Sequence, residues 1–190
     1  MMMMVEMSHP GLVVFPTHRL VRGLAAFDAE AVLTACEPYF DLVRGLAVPH
    51  LDEALEHAYR EGRHAFGLYT GGETFTLLTL RDPAVMDGLL PGLSPASRAL
   101  DVTILHTLVL ERLMGIDKEN MANQTNLSYT RDLKEALDGV RQGQFQCAFL
   151  LNPTRVSEIR DVASAGEKMP QKSTYFYPKL ITGLAMNKLD

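Results

Sequence analysis

The chain has 190 residues, 47% hydrophobic and 22% charged, with a formal net charge of -5. These are ordinary values for one globular domain with a core large enough to need neither disulfides nor metals. An acidic balance argues against wholesale binding to nucleic acid or to an anionic membrane.

Cys36 and Cys147 are far apart in apolar surroundings, which predicts buried, reduced thiols and a cytoplasmic setting. No Cys-x-x-Cys pair and no His-Glu-x-x-His occurs, and the six histidines are scattered, so no metal site is expected. No run of about 20 apolar residues would span a membrane. The opening MMMMVEM lacks a charged leader and reads as a buried strand. A strand beginning at the initiator suggests a translation start placed inside a longer protein, so 1–190 is expected to be one domain, the later half of something larger.

After the strand over 1–6, Gly11–Phe15 reads as a second strand ended by Pro16. Phe27–Tyr39 reads as a helix capped by Asp28, and Tyr39–Leu46 as a strand. Leu51–Glu61 is amphipathic, with Leu51, Leu55 and Ala58 on one face. HAFGLYT and TFTLLTL flank Gly71-Gly72-Glu73 and predict a hairpin, since glycine supplies the positive φ that tight turns need.

Asp82–Pro95 reads as a loop. Ser97–Met114 reads as one long buried helix stopped by Gly115. Asn126–Thr130 follows as a short strand, Arg131–Arg141 as a helix, and Gln146–Leu151 as a central strand by its continuous apolar character. Asn152 as cap and Pro153 at the first position open the last helix; Gly166 and Pro170 close it. Leu180–Met186 is a final strand. The expected fold is α+β: a largely antiparallel, mixed sheet, a Gly-Gly hairpin and about five helices.

Four constellations could carry chemistry. In GEKMPQKSTYFYPK, residues 166–179, Lys168, Lys172 and Lys179 supply charge, and Ser173, Thr174 and Tyr175 supply hydroxyls. Pro170 and Pro178 restrict the backbone, which suits a segment that grips phosphate or carboxylate. The plainer alternative is a packed loop with solvated lysines. In Pro16-Thr17-His18-Arg19, after an apolar strand, Arg19 could clamp an anion and His18 could donate a hydrogen bond or act as a base. The alternative is structural hydrogen bonding.

Asp101 and His106 lie about 140° apart around a helix and cannot pair with each other. His106 reads as a satisfied core histidine and Asp101 as a carboxylate favoured by the helix dipole. Asn152-Pro153-Thr154-Arg155 is either a plain cap or an anion site. No Walker loop, G-x-S-x-G elbow or G-x-G-x-x-G is present.

LVVFPTHRLV at 12–21, AFGLYTGG at 65–72, LDVTILHTLVLERLMGI at 100–116, AFLLNPTRVSEIRDVASAGEKMPQKSTYFYPKL at 148–180 and the TGL near the end resemble the C-terminal half of the bacterial family called domain of unknown function 1015. The resemblance implies a full-length protein about twice as long, with a ParB/sulfiredoxin-like N-terminal half carrying an Asp-Gly-His-His-Arg motif that is absent here. Some relatives of that fold phosphorylate free serine or use ATP.

Two functions follow from the resemblance. One is the phosphate- or nucleotide-binding half of a small-molecule phosphotransferase, with ATP or ADP and magnesium as candidate cofactors and His18, Arg19, Lys172, Ser173 and Thr174 at the site. The isolated half would then be inactive. The other is a non-catalytic binding or dimerisation domain, a homo-oligomer or the partner of its missing half, linked to a ParB-like DNA-associated role that the net charge disfavours.

Overall fold

A computed structural model describes residues 6, 9 and 11–177. The expected strands over 1–6 and Leu180–Met186 lie outside these residues. Six strands form one antiparallel sheet in the order β3-β5-β4-β7-β2-β6: β2 (His18–Val21), β3 (Phe40–Ala47), β4 (Ala65–Tyr69), β5 (Thr74–Leu80), β6 (Leu127–Thr130) and β7 (Cys147–Leu150). A separate two-stranded ribbon pairs β1 (Val13–Phe15) with β8 (Tyr175–Tyr177). The α+β fold is as expected, with every observed strand pair antiparallel.

The sheet is covered on both faces, which explains why its central strands read as unbroken apolar runs. Alternate side chains of a strand point to opposite faces. Val21, Phe66, Leu68, Cys147 and Phe149 pack into one core, with α1 (Ala29–Cys36) and the helical stretch from Asp101 to Leu113. Leu20, Ala65, Tyr69, Ala148 and Leu150 face the other core, formed with α2 (Leu51–Arg60) and α7 (Leu133–Arg141). Gly67 in β4 faces α2. A Cβ there would stand 2.9 Å from Leu51 Cδ1 and 3.1 Å from Phe75 Cδ2, so the close seat of α2 requires glycine.

Local signals set most boundaries. Asp28 accepts from the Glu30 N–H at 2.9 Å. Asp132 accepts from the Lys134 and Glu135 N–H groups at 2.8 and 3.2 Å and starts α7. Gly71 and Gly72 have φ of 116° and 73° in the β4–β5 turn.

Three expectations are corrected. The loop over 82–95 contains α3 (Val85–Leu89). The single helix over 97–114 is instead α4 (Pro95–Arg98), a break at Ala99–Leu100, then α5 (Asp101–Ile104) running on as a π-helix, Leu105–Leu113. Ser94 caps α4, and its hydroxyl accepts from the Ser97 N–H at 3.2 Å. Asn152 does not cap α8 (Val156–Ser164). Its amide instead donates to the Leu55 carbonyl at 2.9 Å, and α8 begins after Arg155, whose N–H donates to Glu158 at 2.6 Å. With α6 (Lys118–Asn123), the described residues hold eight helical segments where five were expected; the additional three are short.

Candidate functional site

Pro16 ends β1 as expected, and His18 and Arg19 follow it after Thr17. They form the start of β2, opposite Thr130 and Tyr129 of β6, and both are buried. His18 Nδ1 accepts from the Leu151 N–H at 3.3 Å, which puts the ring proton on Nε2. Burial, helped by the Arg19 charge and opposed by Asp132, lowers the His18 pKa to about 4. At neutral pH the ring is therefore a neutral donor through Nε2, not a base.

Arg19 is 1% exposed. Its Nε donates to His106 Nε2 at 3.0 Å, and its terminal nitrogens donate to the Thr17 carbonyl and, at 3.2 Å, to the Lys172 carbonyl. Its guanidinium also stands 5.6 Å from the centre of the Tyr129 ring. No carboxylate pairs with it among the described residues. Burial lowers its pKa to about 10, against the opposing effect of Tyr129, so it stays charged at neutral pH.

The lysine-rich segment divides between packing and exposure. Ser173 is 4% exposed. Its hydroxyl donates to the Pro170 carbonyl at 2.7 Å, and its carbonyl accepts from the Thr154 hydroxyl at 2.9 Å. Both of its polar groups are thus engaged in closing the loop. Lys172 has the left-handed φ of 57°, an unfavourable conformation for a residue with a side chain. The turn from Pro170 to Ser173 and the bond from Arg19 to the Lys172 carbonyl hold it there.

Lys172 and Thr174 line an open cleft of about 970 Å³, together with Thr17, Tyr129, Arg131 and Tyr175. The Arg131 guanidinium lies 3.8 Å from the centre of the Tyr175 ring, a cation–π contact that fixes its charge at the cleft wall. Two carboxylates also line the cleft. Asp132 caps α7, and Glu135 accepts from the Thr130 hydroxyl. Among the lysines expected at a site, Lys168 is exposed and does not line the cleft, and Lys179 lies outside the described residues. Asn152 is engaged with Leu55 and lines a small cavity with Thr17, Arg19, Asp101, Glu158 and Ser173.

Sequence reasoning missed two features. Asp101 lies in the first turn of α5, as expected, but it also accepts from or pairs with His64 Nδ1 at 2.8 Å. Burial opposes the charged form of His64, yet the hydrogen bond and charge of Asp101, with Glu158, raise its pKa. Burial, with the nearby Asp101 charge, likewise raises the Glu158 pKa. Arg131 was the other omission. It stands just past the end of β6, and the strand-end argument applied to residues 16–19 would have found it.

The fold is therefore an antiparallel sheet between helical layers, with a cation-bearing cleft at one end of β2 and β6. The chain belongs to the family described as Protein of unknown function (DUF1015), whose family model matches residues 1–103. No curated protein matches the chain. Among solved structures, it is similar to a conserved hypothetical protein from Pyrococcus furiosus, at 16% identity and a TM-score of 0.49, over 90% of this chain and 59% of that one. A free serine kinase in complex with AMP is similar at 16% identity and a TM-score of 0.47, over 90% and 56%. A mutant of a free serine kinase in complex with ADP follows at 15% identity and 0.46, over 90% and 56%. The chain spans less than two thirds of the length of each. No helix of the described residues is long and apolar enough to cross a membrane.

Proposed function

We propose that the chain binds the phosphate of a small anionic ligand, an adenine nucleotide such as ATP or ADP, in the cleft beside Lys172. In the longer form that its similar structures have, it would serve as the phosphate-binding part of a small-molecule phosphotransferase. The observation that carries this reading is Lys172 held in a left-handed turn beside Arg131, Thr17 and Thr174. Backbone strain of this kind persists only where surrounding contacts enforce it, and it gathers at ligand sites. Buried behind the turn, Arg19 adds a positive charge that no carboxylate among the described residues pairs with, and a dianionic phosphate would offset the cost of keeping it there.

Phosphoryl transfer depends mainly on positioning and charge stabilisation, which cations and hydroxyls supply. Lys172 and Arg131 would take phosphate oxygens, and Thr174 and Thr17 would add hydrogen bonds, while His18, buried and not part of the cleft lining, would not touch the ligand. Ser173 would shape the turn rather than touch the ligand. Magnesium would arrive with the nucleotide, because Asp132 and Glu135 are already engaged as caps and partners.

Thermal unfolding with and without ATP, ADP and magnesium tests this. A ligand that binds only the folded chain raises the melting temperature by mass action. Lys172→Gly separates charge from backbone. It removes the cation yet suits a positive φ, so the expected result is an unchanged or raised melting temperature with no nucleotide-dependent shift. Retention of the full shift in Lys172→Gly would overturn the reading.

The second reading, a docking or dimerisation unit without activity, is supported by the β1–β8 ribbon. Val13, Phe15 and Tyr177 are 44%, 39% and 54% exposed there, a concentration of apolar surface that fits a partner. A concentration-dependent dimer indifferent to nucleotide would favour it.

A further inference from the structure

A second cavity, of about 280 Å³, lies beside the π-helical stretch, with Leu90, Leu93 and Met121 among its apolar walls. Thr103 and His106 also line it. Thr103 is 6% exposed, and its hydroxyl has no hydrogen-bond partner among the described residues. A buried, unsatisfied hydroxyl is costly, and a helical threonine normally returns it to a carbonyl one turn back. Here the helix itself is widened just beyond. The Met114 N–H donates to the Val109 carbonyl, five residues back, at 2.9 Å. Such π segments are frequent at functional sites.

His106 supplies a complementary group. Its Nε2 accepts from Arg19, and burial, with the Arg19 charge, lowers its pKa to about 3. The ring is therefore neutral with its proton on Nδ1, and no acceptor for that proton is found among the described residues. The cavity thus offers a fixed donor at His106 and the buried Thr103 hydroxyl in its wall, with Thr107, Glu111, Lys118 and Gln171 lining it beside the apolar residues. That set fits an uncharged planar heterocycle with hydrogen-bonding edge atoms, such as a purine.

Tyr129 lines both the cavity and the cleft. The segment between them runs from Pro170 and Gln171 on the cavity side to Lys172 and Thr174 on the cleft side. Arg19 joins the two by bonding His106 and the Lys172 carbonyl. We infer that this cavity receives the base of the nucleotide whose phosphates lie beside Lys172, with Thr103 and His106 reading the base edge. The inference rests on the phosphate reading of the cleft.

Calorimetric titration of adenosine, pyrophosphate and ADP into the chain and its variants tests it. Adenosine probes the cavity without the cleft, and pyrophosphate probes the cleft without the cavity. Thr103→Val keeps the shape and removes the hydroxyl. It is expected to weaken adenosine and ADP about tenfold, the worth of one good hydrogen bond, and to leave pyrophosphate unchanged. Lys172→Ala is expected to do the reverse for the two fragments and to weaken ADP as well. Leu93→Trp, at an exposed rim position, is expected to block adenosine without disturbing the core. Adenosine and ADP affinities unchanged in both Thr103→Val and Leu93→Trp would overturn the inference, as would pyrophosphate binding with no adenosine binding. Adenosine binding without pyrophosphate binding would instead overturn the phosphate reading of the cleft while upholding the cavity.

Discussion

The guanidinium of Arg19 joins three parts of the chain that are remote in sequence: Thr17 beside it, His106 on the π-helix and Lys172 near the end of the described chain. Replacing it with methionine leaves two carbonyls and an imidazole nitrogen without their donor. The expected cost is about 2–4 kcal/mol, from acceptors left unpaired in a buried place, read by denaturant unfolding. His18 and His106 add an acid sensitivity. Their pKa values fall from 6.5 to about 4 and about 3 on folding, so between these limits the unfolded chain binds protons that the folded chain refuses. Stability is therefore full above pH 6.5 and falls as pH drops towards 4, by up to about 1.4 kcal/mol per pH unit for each ring. His64, with its pKa raised, acts in the opposite sense. It contributes stability below pH 6.5 that is lost as pH rises through its folded value. Unfolding free energies of the protein and of His106→Gln across pH 4.5–7 check the sign. Glutamine keeps an acceptor for Arg19 but does not titrate, so a shallower slope is expected, and an identical slope would remove His106 from the account.

Among the elements, β4 shows how packing constrains composition. Gly67 lies between Leu51 of α2 and Phe75 of β5, and α2 is seated through Leu51, Leu55 and Ala58. Gly67→Ala is expected to force α2 outward and destabilise the protein by about 1–3 kcal/mol, the usual range for overpacking a filled core. A melting temperature equal to that of the parent would show that Leu51 yields without cost. The hairpin, α1, α2 and α7 were legible because each is marked by short-range chemistry: paired glycines, an aspartate cap or a 3.6-residue apolar period. The split of the expected helix over 97–114 was not. Nothing local distinguishes an α turn from a π turn in LHTLVLERL, and the break at Ala99–Leu100 depends on where Ser94 and Pro95 start the preceding turn. Asn152 misled for a related reason. Its side chain has the chemistry of a cap, but the Leu55 carbonyl lies within its reach.

At the scale of the molecule, the two cores share the central strands, so neither can be lost alone. Cys36 and Cys147 both lie in the core opposite α2. Burial pushes the Cys36 thiol up to about 12 and the Cys147 thiol up as well, and both should resist thiol reagents until the chain opens. Leu55→Ala on the far side of the sheet is expected to cost about 2–5 kcal/mol and to raise the reactivity of both thiols by the same free energy. Thiols that stay protected in that variant while circular dichroism reports unfolding would show that the two cores open separately.

The α+β class, the hairpin, the burial of both cysteines and the position of the lysine-rich segment follow from local pattern and composition, which act over a few residues. Which members of that segment face the cleft did not follow. Lys172 and Thr174 reach the cleft, Ser173 is consumed by its own turn, and Arg19 lies behind them rather than at the surface. Arg131, Tyr129, Thr103 and the pairing of His64 with Asp101 joined the picture only when strands and helices distant in sequence were brought together. Hydrogen bonds and burial act through space, so the chemistry of these side chains was decided by the sheet order and not by their neighbours in the chain.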